Sequence, residues 1–343
     1  MATIKDVARL AKVSPSTVSR VLANSPRISE ETKRKVRAAL EQLNYHPNAF
    51  ARGLVTNSTG AIGILIPPSA EEFFVNPFFA EWMAGVAEVA RQRGVDTVLS
   101  TSARSEVETL DHMVRGRRVD GVLLIGARRG DPVLQEVVKL GCPAVLLGRP
   151  ADATAISWVN NDNRRAAYDA TVHLLKLGHR RIGFLGGASD LVVTIDRVSG
   201  YRQALLDYGV EPDPRLEVSS FFLEQGGYLG MMRLLAIPDR PTAVLCADDV
   251  LAFGGMRAAH ELGFDVPGDL AIVGFNDIRL AELAHPALTS VRVHMHELGV
   301  RSALLLLEEI ERGKPLHRQV VVGHELVVRY SCGAKPMGSL ALS

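Results

Sequence analysis

Residues 3–22 read Thr3-Ile4-Lys5-Asp6-Val7-Ala8-Arg9-Leu10-Ala11-Lys12-Val13-Ser14-Pro15-Ser16-Thr17-Val18-Ser19-Arg20-Val21-Leu22. Thr3 and Asp6 have the spacing of a reciprocal helix cap. Ile4, Val7, Ala8 and Ala11 follow as one apolar stripe of helical period. The stripe stops at Lys12-Val13-Ser14. Ser14 is a good N-cap, and Pro15 suits the first helical position, where no backbone N–H is needed. Val18, Val21 and Leu22 form a second short stripe, with Ser16 and Arg20 one turn apart on the opposite side. Ser29 starts a third helix, whose apolar positions are Val36, Leu40 and Leu43. Three short helices with a tight turn between the first two make a helix-turn-helix, whose second helix offers its first side chains to base edges. A small helical bundle without a nucleic-acid role has the same pattern.

Charge separates this head from the rest of the chain. Residues 1–56 hold ten Lys/Arg against four Asp/Glu, a net of +6, and the remainder holds 29 against 34, a net of −5. A basic module on an acidic body points to a polyanionic partner for the head alone, although a solvated charged face would look similar. The chain has 343 residues, 47% of them hydrophobic and 22% charged. That length and composition predict two or three globular domains and exclude a disordered chain. Cys142, Cys246 and Cys332 lie far apart, with no metal-ligand spacing, and read as buried free thiols of a reducing compartment. Met1–Leu10 lacks the apolar core of a signal peptide, and no apolar run approaches a membrane span. The expectation is a cytoplasmic protein.

From Gly60 onward, apolar runs alternate with amphipathic stretches. The runs are 62–66, 97–99, 122–125, 144–147, 182–185, 243–246 and 271–273, and the helical patterns include 78–93, 164–177, 201–208 and 251–262. Alternating strand and helix units imply parallel sheets covered on both faces, and their number implies two sheets. The Gly186-Gly187 turn alone is too weak a signal for a nucleotide site. No Gly-x-Ser-x-Gly elbow, phosphate loop or metal cluster is present in the sequence, so neither an enzyme nor a cofactor is expected.

Particular residues make the pattern recognisable. Thr3-Ile4-Lys5-Asp6-Val7-Ala8, Val13-Ser14, Thr17 to Leu22, Ser29-Glu30-Glu31-Thr32, Leu43-Asn44-Tyr45 and Pro47-Asn48 resemble the opening of LacI/GalR-type repressors. Asp162-Asn163, Leu177-Gly178-His179-Arg180-Arg181-Ile182, Arg197-Val198-Ser199-Gly200-Tyr201, Cys246-Ala247-Asp248-Asp249, Gly274-Phe275-Asn276-Asp277 and Pro286-Ala287-Leu288-Thr289-Ser290 follow in that family's order. The resemblance spans residue 2 to about residue 332. It implies an all-α helix-turn-helix domain (1–47), a hinge helix and linker (48–59), and a periplasmic-binding-protein-like, two-subdomain parallel α/β body. The N-subdomain would comprise 60–158 and 291–317, the C-subdomain 159–290 and 318–332, and 333–343 would be a tail.

The same resemblance implies roles for individual residues. Pro15, Ser16 and Arg20 would face bases, with Arg20 the best reader of guanine. Thr17, Ser19 and Tyr45 would contact or orient the phosphate backbone. Asn48 would cap the hinge helix, and Leu54 would wedge between bases in the minor groove. Ala23 replaces the family's usual Asn, and Gly53 replaces its more frequent Ser. In the body, Arg197 and Phe222 match effector-binding positions. Asp248 and Asn276 keep polar partners there but exchange the charge pattern of many relatives. Phe78 and Phe79 would line the cleft from the other side, or belong to the core. These groups suit a polyhydroxylated ligand, and Phe73-Phe74-Val75-Asn76-Pro77-Phe78-Phe79 is similar to regulators of maltose-like or other α-glucoside utilisation. The implied protein is a dimeric repressor of operator DNA, controlled by a small sugar. The alternatives are a regulator whose effector strengthens binding, a transport-type sugar-binding protein, or an enzyme on the same scaffold. The tail has no heptad pattern, which predicts a dimer and not a tetramer built on a C-terminal coil.

Overall fold

A computed structural model describes residues 2–22, 25, 27–45, 58–66, 70–100 and 104–334. The head contains α1 (Ile4–Ala11), α2 (Pro15–Leu22) and α3 (Glu30–Gln42). The cap foreseen for α1 is present: Thr3 Oγ1 accepts from the Asp6 amide at 3.4 Å, and Asp6 Oδ2 accepts from the Thr3 amide at 3.0 Å. These bonds hold the Asp6 carboxyl below its ordinary pKa. Lys12 closes α1 with φ at 55°. Ser14 Oγ then accepts from the Thr17 amide at 3.1 Å and starts α2. Val7, Ala8, Ala11, Val18, Val21, Val36 and Ala39 make one small core, with Tyr45 packed against its edge.

The body begins with β1 (Ala61–Leu65), α4 (Ala70–Val75), α5 (Pro77–Arg93), β2 (Asp96–Ser100), α6 (Glu106–Arg115), β3 (Gly121–Ile125), α7 (Pro132–Leu140), β4 (Ala144–Leu147) and β5 (Ser157–Asn161). It continues with α8 (Asn163–Lys176), β6 (Ile182–Gly186), α9 (Val192–Asp207), β7 (Glu217–Ser219), α10 (Glu224–Leu235), β8 (Ala243–Cys246), α11 (Asp249–Glu261) and β9 (Ala271–Asn276). The last elements are α12 (Leu280–Leu283), β10 (Thr289–Val293), α13 (Met295–Arg312), β11 (Gln319–Val322) and β12 (His324–Val327).

Two six-stranded sheets result. The first runs β11-β5-β4-β3-β1-β2 and is wholly parallel. The second runs β12-β10-β9-β8-β6-β7, with β12 antiparallel at its edge. Both faces of the first sheet are covered. Ile62 and Ile64 of β1 join one core with Trp82 and Leu306, while Ala61 and Leu65 join another with Leu110 and Val137. Burial on both sides explains why β1, β3 and β4 are apolar throughout and not alternating. The edge strand β2 is different, and leaves Val98 and Leu99 exposed.

The chain passes between the sheets three times: after Asn161, after Val293, and between Val322 and His324. These points lie a few residues beyond the boundaries 158/159, 290/291 and 317/318 expected from the sequence. Whether β5, β10 or β11 joins one sheet or the other is decided by hydrogen-bond partners distant in sequence, which an apolar run does not record. The three cysteines are buried and unpaired. Among the described residues no helix is long and apolar enough to cross a membrane.

Candidate functional sites: the basic head and the inter-subdomain cleft

On the head, Pro15, Ser16 and Arg20 are exposed, and Thr17, Ser19 and Tyr45 are half-buried. Ser14 organises the start of α2, its hydroxyl lying 2.7 Å from that of Ser16 and 2.9 Å from that of Thr17. The exposed side of α2 therefore carries hydroxyls on its first turn and a guanidinium on its second. This is the arrangement needed by a helix that enters a groove with its N-terminal end. Asn48 and Leu54, together with Ala23 and Gly53, lie outside the described residues.

In the body a cavity enclosing about 110 Å³ sits at the seam of the two sheets. Phe78, Phe79, Ile125, Gly126, Leu147, Gly148, Arg149, Asn160 and Asn161 border it from the first subdomain. Asn163, Val192, Val193, Asp196 and Arg197 border it from the second. The N-terminal end of α9 supplies the deepest groups. Arg197 is only 4% exposed. Its Nε donates to Asn163 Oδ1 at 2.8 Å, its Nη1 donates to the Ala247 carbonyl, and its guanidinium lies 3.6 Å from the centre of the Phe275 ring. Burial lowers its pKa to about 10, opposed by Asp248, Asp249 and Asp196. The group remains a cation at neutral pH, held over the Phe275 ring.

Two polar bridges cross the seam beside it. Arg149 Nε donates to Asp196 Oδ2 at 2.8 Å, and Arg149 Nη2 donates to Asp196 Oδ1, making a forked pair between subdomains. Asn76, the N-cap of α5, donates through Nδ2 to Asp248 Oδ2 at 3.0 Å. Asp248 is the N-cap of α11, and its Oδ1 accepts from the Val250 amide at 2.7 Å. Asn276 Nδ2 donates to Asp248 Oδ2 at 2.8 Å. Burial raises the Asp248 carboxyl to about 6 despite these donors. Asp249 beside it, bonded to Ser290 Oγ at 2.6 Å and to the Ile278 amide at 2.8 Å, is also raised by burial.

Asn276 and Asp277 have φ of 101° and 55°. Side chains rarely tolerate such values, so the surrounding structure must hold them. Arg292 and Arg329 do so by gripping Asp277 at 2.8 and 2.6 Å, and Ser290 Oγ accepts from the Asp277 amide at 3.0 Å. The bend aims the Asn276 amide at Asp248.

Of the cleft residues expected from the sequence, Phe78, Phe79 and Arg197 border the cavity together. Asp248 and Asn276 lie next to Arg197 in the neighbouring polar chain. Phe222 packs over Gly187, where its ring would clash with any added Cβ, and it does not border this cavity. Sequence reasoning passed over Asn76, Arg149, Asn163 and Asp196. Asn76 had a usable signal, because Asn before Pro and a helical run marks an N-cap. Arg149 and Asp196 had none, since their pairing depends on how the two sheets meet.

A helix-turn-helix head joined to a two-sheet body with a polar cleft at its seam defines a ligand-responsive DNA-binding protein. Residues 3–48 match the model of bacterial regulatory proteins of the lacI family, and residues 171–332 match the periplasmic binding protein-like domain. The HTH-type transcriptional regulator MalR of Streptococcus pneumoniae serotype 4 is 35% identical over 332 residues, covering 95% of this chain and 98% of its own. A solved structure of the transcriptional regulator CelR–cellobiose complex is similar with a TM-score of 0.75 at 34% identity, over 96% of this chain and 100% of that one. The Lac repressor dimer bound to operator and the anti-inducer ONPF gives 0.81 at 28% identity, over 97% and 99%. The chain belongs to the LacI family and is a DNA-binding transcription regulator.

Proposed function

We propose that this protein is a homodimeric repressor whose hold on operator DNA is set by a short glucoside bound between the two subdomains. The observation that carries the reading is Arg197. It is a buried guanidinium at the edge of a seam cavity, surrounded by carboxamides, a forked Arg–Asp pair and two phenylalanines. Such a set grips several hydroxyl oxygens at once and stacks a sugar face. The relative CelR is solved with cellobiose, and the Phe73–Phe79 stretch favours maltose-like or other α-glucosides. Phe78, Phe79, Arg197, Asp248, Asn276 and Phe222 are assigned to the effector.

On the DNA side, Pro15, Ser16 and Arg20 are assigned to bases, and Thr17, Ser19 and Tyr45 to the backbone. Asn48 and Leu54 are assigned to the hinge. A dimer is favoured by the exposed apolar residues Val98 and Leu99 on the unpaired edge of β2, and by Leu280 and Leu283 on α12. Two heads then read two half-sites of a near-palindrome.

The test is a fluorescence-anisotropy titration on a palindromic operator, with maltose, cellobiose, glucose and ribose added separately. One glucoside should shift operator affinity by about tenfold or more, through its different affinity for the two body states. Affinity should also fall steeply with salt. A monomer on a non-symmetric site, or no response to any sugar, overturns the reading.

A further inference from the structure

A second cavity, of about 490 Å³, lies on the other side of α9 from the cleft. The helix separates the two. Val193, Asp196 and Arg197 border the first cavity, while Thr194, Val198, Ser199 and Gln203 border the second. At about 100° per residue the two sets occupy adjoining, non-overlapping arcs whose centres lie on roughly opposite sides of the helix, so one helix presents a different face to each space. β6 and β7 form the other wall through Phe184 and Ser219. Arg129 lines the cavity from the first subdomain, its backbone amide donating to the Asp190 carbonyl at 3.0 Å.

The lining has a definite chemistry. Arg202 and Glu217 neutralise one another, with Arg202 Nε 2.7 Å from Glu217 Oε1. The Arg129 guanidinium has no acceptor among the described residues, so the wall carries one uncompensated positive charge. Thr194 is 4% exposed, and its hydroxyl has no hydrogen-bond partner. A buried hydroxyl without a partner is costly in a finished structure, and a ligand or a water held by one would relieve it. Ser199, Ser219 and Gln203 add donors and acceptors above an apolar floor that includes Phe184 and Val198.

We infer that this cavity is a second small-molecule site, distinct from the cleft, and that it takes a polyhydroxylated anion, a phosphorylated or carboxylated sugar whose charge meets Arg129. Because α9 lines both spaces, a ligand here fixes the helix that carries Arg197 and Asp196, and because Arg129 belongs to the other subdomain, it also ties the seam.

The experiment is isothermal titration of the full chain with glucose 6-phosphate, gluconate, glucose and inorganic phosphate, each at millimolar concentration. At least one of the two sugar anions binds, and binds more tightly than glucose or inorganic phosphate. Arg129→Gln weakens it by about tenfold, the loss of one charge-assisted contact. Ser199→Leu, which fills the cavity, abolishes it in a protein whose thermal melt shows a folded chain. Ile125→Phe, which crowds the first cavity from β3 and not from α9, leaves it within about twofold. The inference is overturned if neither sugar anion binds, if glucose or inorganic phosphate binds as tightly, if Arg129→Gln binds unchanged, or if Ile125→Phe removes the binding.

Discussion

The side-chain amide of Asn76 lies 3.0 Å from the carboxylate of Asp248, and the two residues belong to different subdomains. Each also caps the first turn of its own helix, Asn76 at α5 and Asp248 at α11. A single buried bond thus joins two helix N-termini across the cleft. Asn76→Ala removes a cap and leaves a buried carboxylate with one donor fewer. The expected loss is about 1–3 kcal/mol in urea unfolding. A variant as stable as wild type would show that the bond contributes nothing to closure.

The pH dependence of Asp248 has a definite sign. Its pKa in the fold is about 6, above the ordinary aspartate value of 3.8, because burial disfavours the anion more than its donors favour it. The folded form therefore holds this proton more tightly than the unfolded chain. Asp248 carries no penalty below about pH 4, a growing one between about pH 4 and 6, and a constant one above that. Wild type should lose about 1–2 kcal/mol relative to Asp248→Asn between pH 5 and pH 7. Paired urea curves at the two pH values check this.

Arg197 has structural partners as well as a proposed ligand. Arg197→Ala would strand Asn163 Oδ1 and the Ala247 carbonyl, and uncover the buried carboxylates that the cation now faces. Breaking such a set costs about 3–5 kcal/mol, so the alanine variant tests stability more than binding. Arg197→Lys keeps the charge and loses the planar fork. It should keep operator affinity and need about tenfold more glucoside for the same release, read by anisotropy. An unchanged response would place the effector elsewhere.

Arg20 stands exposed one turn beyond Ser16. Arg20→Ala should relax preference at one operator position by about 1–3 kcal/mol per half-site, measured on a panel of single-base variants. Equal weakening on every sequence would make it a phosphate contact only.

Ser14 offers a different reading of the same helix. Its hydroxyl serves the Thr17 amide and lies within bonding distance of two neighbouring hydroxyls. Ser14→Ala should destabilise the head by about 1 kcal/mol. It should weaken all operators alike, because α2 loses its start and no base contact is removed. A Ser14→Ala protein that changes base preference would refute this.

What could be read beforehand followed from what is local. The caps at Thr3, Ser14 and Ser29 are set by side chains three residues from the amides they hold, so the head was legible almost entirely. The strands at 122–125 and 144–147 were legible because burial on both faces leaves an unbroken apolar run. Arg197 was visible only by its place in a familiar run of residues, and its depth was not. The Arg149–Asp196 fork joins positions 47 residues apart, and Asn76–Asp248 joins positions 172 apart. Neither leaves a periodic trace. The crossover points were displaced for the same reason, since sheet membership belongs to the partner strand.

The three passages between the sheets have a consequence for how the molecule is made. Strand β11 pairs with β5, and Glu309 of α13 accepts from the Ala144 amide at 3.0 Å and from Ser157 Oγ at 2.5 Å. The sheet that begins nearest the N-terminus therefore waits for residues 309–322 before its last strand and its buried carboxylate arrive. The head, by contrast, closes its core within residues 4–45. During synthesis on the ribosome, where chains fold from the N-terminus onward, the part that reads DNA can be complete while the part that answers to a small molecule is still unfinished. A nascent chain stalled before residue 295 should thus carry a folded head on an open, unclosed body.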